Sequence, residues 1–303
     1  MKFLYKLESI DYDFIDINSE HTILFLHGWG GDKNSFLQSI NLVKNQFNVL
    51  TLTLPTIKET KEVWSLFDYT ELIQNILKLH NINSVIIVCH SFGFRVACLL
   101  NGIINIEKIV VTGGAGLKKK SILKRIENQN NVILLKQIRF SYLYTKIASK
   151  DYIELSKNNK QTFKNVVNTI NNNLIVFNCP ILLFWGRIDT PTPIWMAKKI
   201  YRINATFHNK KITKILKNDA KFIKNSTKFD KNSEKTKIFN KNEQKLNKNN
   251  GCIIKTNKDK KVKLIITNSD HFAYINMSSL FNNELLKFLK EWICNPSFYL
   301  LMH

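Results

Sequence analysis

Val85 to Ala97 reads VIIVCHSFGFRVA, and the fold turns on how that stretch is parsed. Ser84 to Val88 is a short, β-branched apolar run of the kind that makes a buried strand. After Cys89-His90-Ser91-Phe92-Gly93 the chain continues as FRVACLLNG, which has the spacing of a helix. A strand that becomes a helix within one residue leaves the side chain at the turn exposed, on a strained backbone beside a helix N-terminus. Such a turn suits a nucleophile, and Ser91 occupies it. The pentapeptide is a variant of G-x-S-x-G: Gly93 is kept and Cys89 stands where the first glycine would be. Glycines there let a neighbouring strand and helix approach the turn, so a small Cys is tolerable where a large residue would not be. Phe94, at a position often small in such turns, is a second departure.

Working outward, the 303 residues and 44% hydrophobic content describe a globular chain able to bury a sizeable core. The formal charge of +22 has an uneven source: residues 210–263 hold 18 lysines against 5 acids. The remainder of the excess is spread over the other residues as an ordinary basic surface. Lys, Asn and Ile dominate while Gly, Pro and Ala are scarce, the pattern of AT-rich coding, which accounts for part of the lysine excess without a functional cause. The five cysteines, Cys89, Cys98, Cys179, Cys252 and Cys294, show no metal spacing. Odd in number and mostly within apolar runs, they read as reduced, buried thiols. The N-terminus MKFLYKLESIDYDFIDI carries acids through what would be the apolar region of a signal peptide, and no apolar run reaches the length of a membrane span. A cytoplasmic protein is the expectation.

In chain order, Lys2 to Ile17 alternates like a hairpin turning near Ser9 to Asp13. Thr22 to Leu26 is a buried strand ending in the glycine-rich His27-Gly28-Trp29-Gly30-Gly31, with a helix expected from Phe36 to Val43. Phe47 to Leu54 is the next strand. Glu62 to His80 has apolar residues at helical spacing and leads into the strand before Ser91. Ile106 to Val111 is another strand, ending in Gly113-Gly114-Ala115-Gly116. The alternation predicts an α/β fold, a mostly parallel central sheet flanked by helices. Leu117 to Ile175 breaks the rhythm; it is polar and helix-prone and reads as a helical cap, so that 1–116 and 176–303 form the core and 117–175 the cap. Pro180 to Trp185 restores a buried strand, and Ile194 to Ile203 is helical. Residues 207–261 are Lys/Asn-rich and read as a disordered insertion within the core. Val262 to Thr267 is the last strand, and Ser278 to Cys294 is an amphipathic closing helix.

Four segments, FLHGWGG at 25–31, VCHSFG at 88–93, LLFWGRIDTPTP at 182–193 and SDHFAYI at 269–275, resemble the α/β-hydrolase fold family, of the type with a helical cap. Their order, Ser then Asp then His, is the order that family uses. The resemblance implies a serine hydrolase with Ser91 as nucleophile, His271 as base and Asp189 as the carboxylate that fixes the imidazole. A serine hydroxyl needs an adjacent base, and the imidazole in turn needs an acid to set its tautomer. For Asp189 the bland reading is a helix cap ahead of the Pro-rich turn, and Asp270 is the rival carboxylate. The resemblance also makes the backbone N–H groups of Trp29 and Phe92 the oxyanion donors. Substrate-pocket candidates are His27, Trp29, Phe140 and Tyr144. His27 itself reads foremost as a structural hydrogen-bonder, and His90 as structural too.

Serine at the elbow argues against the dehalogenase and epoxide hydrolase branches, which use a carboxylate nucleophile. It leaves esterases, thioesterases, lipases, aminopeptidases, C–C bond hydrolases and cofactor-free peroxidases. An ester-type bond of a small or acyl-chain substrate has the widest prior; a peptidase or C–C bond hydrolase on the same triad, or a catalytically dead binding protein, are the alternatives. No His/Asp/Cys cluster has metal spacing, so neither a metal nor another cofactor is expected. A nucleic-acid or anionic-membrane partner for the Lys-rich insertion is weakly supported, because it has no Arg and few interleaved aromatics.

Overall fold

The structure, a computed structural model, describes residues 1–117, 155–169, 175–226, 244–247, 252–257 and 259–291. It divides into two compact units, Met1–Glu107 with Gly114–Leu174, and Lys108–Gly113 with Ile175–His303.

In the first unit the strand order is β1 (Lys2–Tyr5), β2 (Glu8–Ile15), β4 (Asn48–Leu52), β3 (Thr22–Leu26), β5 (Ser84–His90). β3 runs parallel to both β4 and β5, while β1, β2 and β4 pair antiparallel. β3, β4 and β5 are buried along nearly their whole length, as expected of parallel strands covered on both faces. Helices α1 (Leu37–Val43), α2 (Leu66–Leu79) and α3 (Phe92–Leu100) connect or follow these strands, and α3 packs on β5, β3 and α2. The second unit holds most of β6 (Asn105–Thr112), then β7 (Ile181–Gly186), β10 (Val262–Thr267), β9 (Cys252–Thr256) and β8 (Gln244–Asn247). β6, β7 and β10 are parallel, and β9 and β8 add antiparallel strands at the edge. Its helices are α5 (Trp195–Ser226), which packs on β7 and β10, with α6 (Ala273–Asn276) and α7 (Ser278–Lys290).

Three local expectations are corrected. The first hairpin turns at Lys6 and Leu7, both at positive φ (45° and 61°), not near Ser9 to Asp13. That geometry normally selects Gly or Asn, and neither residue type is there to announce it. Helix α2 starts at Leu66 instead of Glu62, because Ser65 and Asp68 close a reciprocal capping box. Within 207–261, α5 continues through Ser226, and β8 and β9 pair with each other and with β10. The Lys/Asn-rich average hid a short apolar run, Cys252-Ile253-Ile254, that completes a sheet edge.

Of the expected cap, 155–169 is described and contains α4 (Lys157–Asn168). Its buried Asn159 is fastened to the loop after β4. Nδ2 donates to the carbonyls of Thr56, Ile57 and Lys58 (3.2, 2.9 and 2.8 Å), and Oδ1 accepts from the N–H and hydroxyl of Thr60 (3.2 and 2.7 Å). A second tie runs from the Trp64 N–H to Thr162 Oγ1 at 2.8 Å. Removing the Asn159 amide would orphan several buried polar groups at once. Asn159→Ala is therefore expected to lower the unfolding free energy by about 2–4 kcal/mol, measured by urea denaturation; a change within error would contradict the network.

Candidate active site

The first unit presents the elbow. Ser91 sits at φ 47°, ψ −106°, between the end of β5 and the first residue of α3. An L residue takes that conformation only when its surroundings impose it, at about 1–3 kcal/mol. The imposing contacts are visible. A Cβ built on Gly93 would stand 2.3 Å from the Leu26 carbonyl oxygen and 2.9 Å from that of His27, so the end of β3 lies directly on the elbow and only glycine fits. A Cβ on Gly28 would meet the His90 ring at 2.6 Å and Ser91 Cβ at 3.5 Å, which brings the His27–Gly31 loop against the serine. The Ser91 carbonyl accepts from the N–H groups of Phe94 and Ala115 at 3.2 and 3.1 Å. Cys89 is fully buried, and burial raises its thiol well above the ordinary range, so it stays a protonated apolar filler. Phe94, the other departure from the expected motif, is absorbed whole into the core.

Phe92 is the first residue of α3, where helix N–H groups lack intrahelical acceptors. Its ring meets the Trp29 indole edge-on at 5.5 Å, and Trp29 meets Phe163 of α4 at 5.0 Å. These aromatic side chains stand beside the elbow. The Gly30 N–H donates to Thr56 Oγ1 at 3.2 Å, which ties the glycine-rich loop to the stretch that Asn159 holds. Arg95, four residues past Ser91, donates through Nη1 to the carbonyls of Val166 and Thr169 at the end of α4 (3.0 and 2.9 Å). Burial pushes its guanidinium down to about 10, which leaves it charged at neutral pH. Neither Asn159 nor Arg95 was singled out by sequence; their partners lie some 70 to 100 residues away, and no local pattern marks them.

His27 is buried in the glycine-rich loop. It is 1% exposed, its Nδ1–H donates to the Gly28 carbonyl at 2.6 Å, and its Nε2 accepts the Leu54 N–H at 2.8 Å. Both ring nitrogens are thus committed to backbone, which is the structural role expected of it. Of the other pocket candidates, Phe140 and Tyr144 lie outside the described residues, and Trp29 is half-buried.

The second unit presents the acid and the imidazole. His271 follows β10, and its Nδ1 lies 3.0 Å from Asp189 Oδ2. The Asp189 side chain is fully buried, while 13% of the His271 side chain is exposed. Asp189 also accepts the Thr192 N–H on Oδ1 at 2.8 Å and the Thr192 hydroxyl on Oδ2 at 2.7 Å; these bonds lie within the Pro-rich turn, ahead of the helix that begins at Trp195. Asp270 faces elsewhere, its Oδ1 accepting from the Phe272 N–H and Asn276 Nδ2. Gly113, at φ 54°, backs onto the imidazole: a Cβ there would be 3.0 Å from His271 Nδ1. Gly186 lets the loop before His271 cross the end of β7, since a Cβ would be 2.0 Å from the Asp270 carbonyl oxygen.

Solved structures with this architecture align over nearly the whole chain. An α/β hydrolase, MGS-M2, from a Medee basin deep-sea metagenome library matches with a TM-score of 0.60 and 13% identity, covering 96% of this chain and 98% of its own. The chain has the α/β-hydrolase fold. An esterase from Exiguobacterium antarcticum matches with a TM-score of 0.58 and 12% identity over 93% and 96% of the two chains. MenH from S. aureus matches with a TM-score of 0.54 and 18% identity over 92% and 98%. No protein-family model and no curated protein matches the sequence. Among the described residues, no helix is long and apolar enough to cross a membrane.

The buried His27 of this α/β-hydrolase fold yields a pH prediction. Burial pushes its imidazole from an ordinary 6.5 down to about 4, against the opposing pull of the Gly28 carbonyl. Because protonation is disfavoured in the folded chain, the contribution is complete above pH 6.5 and is lost as pH falls towards 4, amounting to about 3 kcal/mol. Chemical denaturation of wild type and His27→Gln should show a stability gap that narrows over that window; a gap independent of pH would refute it.

Proposed function

We propose that the protein is a serine hydrolase acting on an ester-type bond of a small or acyl-chain substrate, with Ser91 as nucleophile, His271 as general base and Asp189 as its orienting acid. The observation that carries this reading is the buried Asp189 carboxylate at Nδ1 of His271. Holding the Nδ1 proton there puts the lone pair of the neutral imidazole on Nε2, the tautomer a base needs. The strained backbone at Ser91 supports it, since such conformations cluster at reacting residues.

In the proposed reaction Ser91 Oγ attacks the carbonyl carbon as its proton passes to His271 Nε2. The carbonyl π pair moves onto oxygen, where the N–H groups of Phe92 and Trp29 would receive it. A donor of this kind is worth about 3–4 kcal/mol in the transition state. Collapse of the tetrahedral species expels the alcohol, which leaves with the proton from His271. Water, deprotonated by the same imidazole, then splits the acyl-enzyme to the carboxylic acid and restores Ser91. Trp29 and Phe163, in edge-on contact, offer apolar walls for the acyl group. Indole truncation should alter substrate fit more than chemistry, because the donor at residue 29 is backbone.

Ser91→Ala is expected to abolish hydrolysis of p-nitrophenyl butyrate and labelling by a fluorophosphonate probe, and Asp189→Asn to lower kcat about 10⁴-fold. Turnover retained by purified Ser91→Ala would overturn the assignment. Failure of the wild type to react with the probe would favour a binding protein on the same fold.

A further inference from the structure

Thr192 has no assigned part in the reading above, yet its backbone N–H and its hydroxyl both reach the Asp189 carboxylate. Its N–H donates to Asp189 Oδ1 at 2.8 Å. Its hydroxyl oxygen stands 2.7 Å from Asp189 Oδ2, 2.9 Å from the Gly113 carbonyl and 3.2 Å from His271 Nδ1. The ionised carboxylate is the strongest of these acceptors, so the hydroxyl proton goes to Oδ2. The oxygen lone pair then faces the Nδ1–H of His271. The Thr192 carbonyl accepts the Trp185 indole N–H at 2.7 Å, which anchors the residue to the end of β7.

The chain around it is stiff. Thr192 lies between Pro191 and Pro193, so φ is fixed on both sides and Thr192, as the residue before a proline, is itself restricted to extended conformations. One rigid residue therefore holds both oxygens of Asp189. Rotating the carboxylate about χ2 would break two hydrogen bonds at once in a site where its side chain has no access to water.

We propose that Thr192 is a positioning residue, which fixes the Asp189 carboxylate so that Oδ2 meets the Nδ1–H of His271. The proposal rests on the triad reading for its kinetic consequence, but its structural content stands apart from it. The carboxylate adjacent in sequence to the imidazole, Asp270, is committed to the Phe272 N–H and Asn276.

The test compares Thr192→Val, which removes the hydroxyl and keeps the β-branch and backbone N–H, with Thr192→Ser, which keeps the hydroxyl. On p-nitrophenyl butyrate, Thr192→Val is expected to lose kcat by about 10²-fold at unchanged KM, and Thr192→Ser to retain most of the rate. In proton NMR of the full chain, carried out also on Ser91→Ala, the low-field His271 Nδ1–H resonance should shift and broaden with Val and persist with Ser. An unmoved resonance together with wild-type kcat in Thr192→Val overturns the proposal. If Thr192→Val does not fold, Thr192→Ala, which adds no atom to the site, is read in its place by the same criteria. Turnover surviving in Ser91→Ala while the resonance responds to Thr192→Val would sink the nucleophile assignment and leave the positioning role standing.

Discussion

The backbone at Ser91 is the constraint from which the first unit is built. A φ of 47° with ψ of −106° is costly for serine, and the chain adopts it because two other elements leave no alternative path. The carbonyls at the end of β3 press on position 93, where nothing larger than hydrogen fits, and the Gly28 turn presses on His90 and Ser91 from the side. The Ala115 N–H then fastens the Ser91 carbonyl from the loop that follows β6. Strand, helix and glycine-rich loop thus meet at one residue, and the first turn of α3 begins beside the serine hydroxyl.

What could be read in the sequence, and what could not, divides along the range of the interactions. Runs such as TILFL, SVIIV and ILLFW are apolar on both faces, and their strands could be placed without a structure because burial on both sides leaves no polar alternation to confuse them. The start of α2 was misplaced by about one turn although Ser65-x-x-Asp68 is a local signal, since the apolar spacing upstream looked equally helical. The hairpin turn at Lys6-Leu7 could not be found, because its residues are not those the geometry prefers. β9 was lost for a different reason: five residues that complete a sheet edge were averaged into a long lysine-rich stretch.

At the candidate site the same division appears. Ser91, Asp189 and His271 could be nominated as candidates from sequence because each follows a strand end in an ordered set of motifs. Asn159 and Arg95 were not, because each acts on backbone far away in the chain and could be exchanged for other polar residues without disturbing any local pattern. Thr192 lies between these cases. Asp-x-x-Thr is a turn spacing that could have been noticed, but a turn alone would not have shown that the hydroxyl also faces His271, 79 residues on.

Asp189 shows why bracing a turn and pairing with an imidazole need not compete. A carboxylate has two oxygens, and the turn requires only one: Oδ1 takes the Thr192 N–H, as an Asn or Ser side chain could also do. The turn's backbone uses only the first oxygen, yet the second is fully buried and would be a costly acceptor without partners. Its partners, the Thr192 hydroxyl and the imidazole, come from residues three and 82 positions away. The turn therefore supplies the rigidity and the leftover oxygen supplies the charge. Asparagine would keep the turn but present either an oxygen without a full charge or an amide donor to Nδ1, which would put the imidazole proton on Nε2. What aspartate offers here beyond asparagine is thus felt by the imidazole and not by the local backbone.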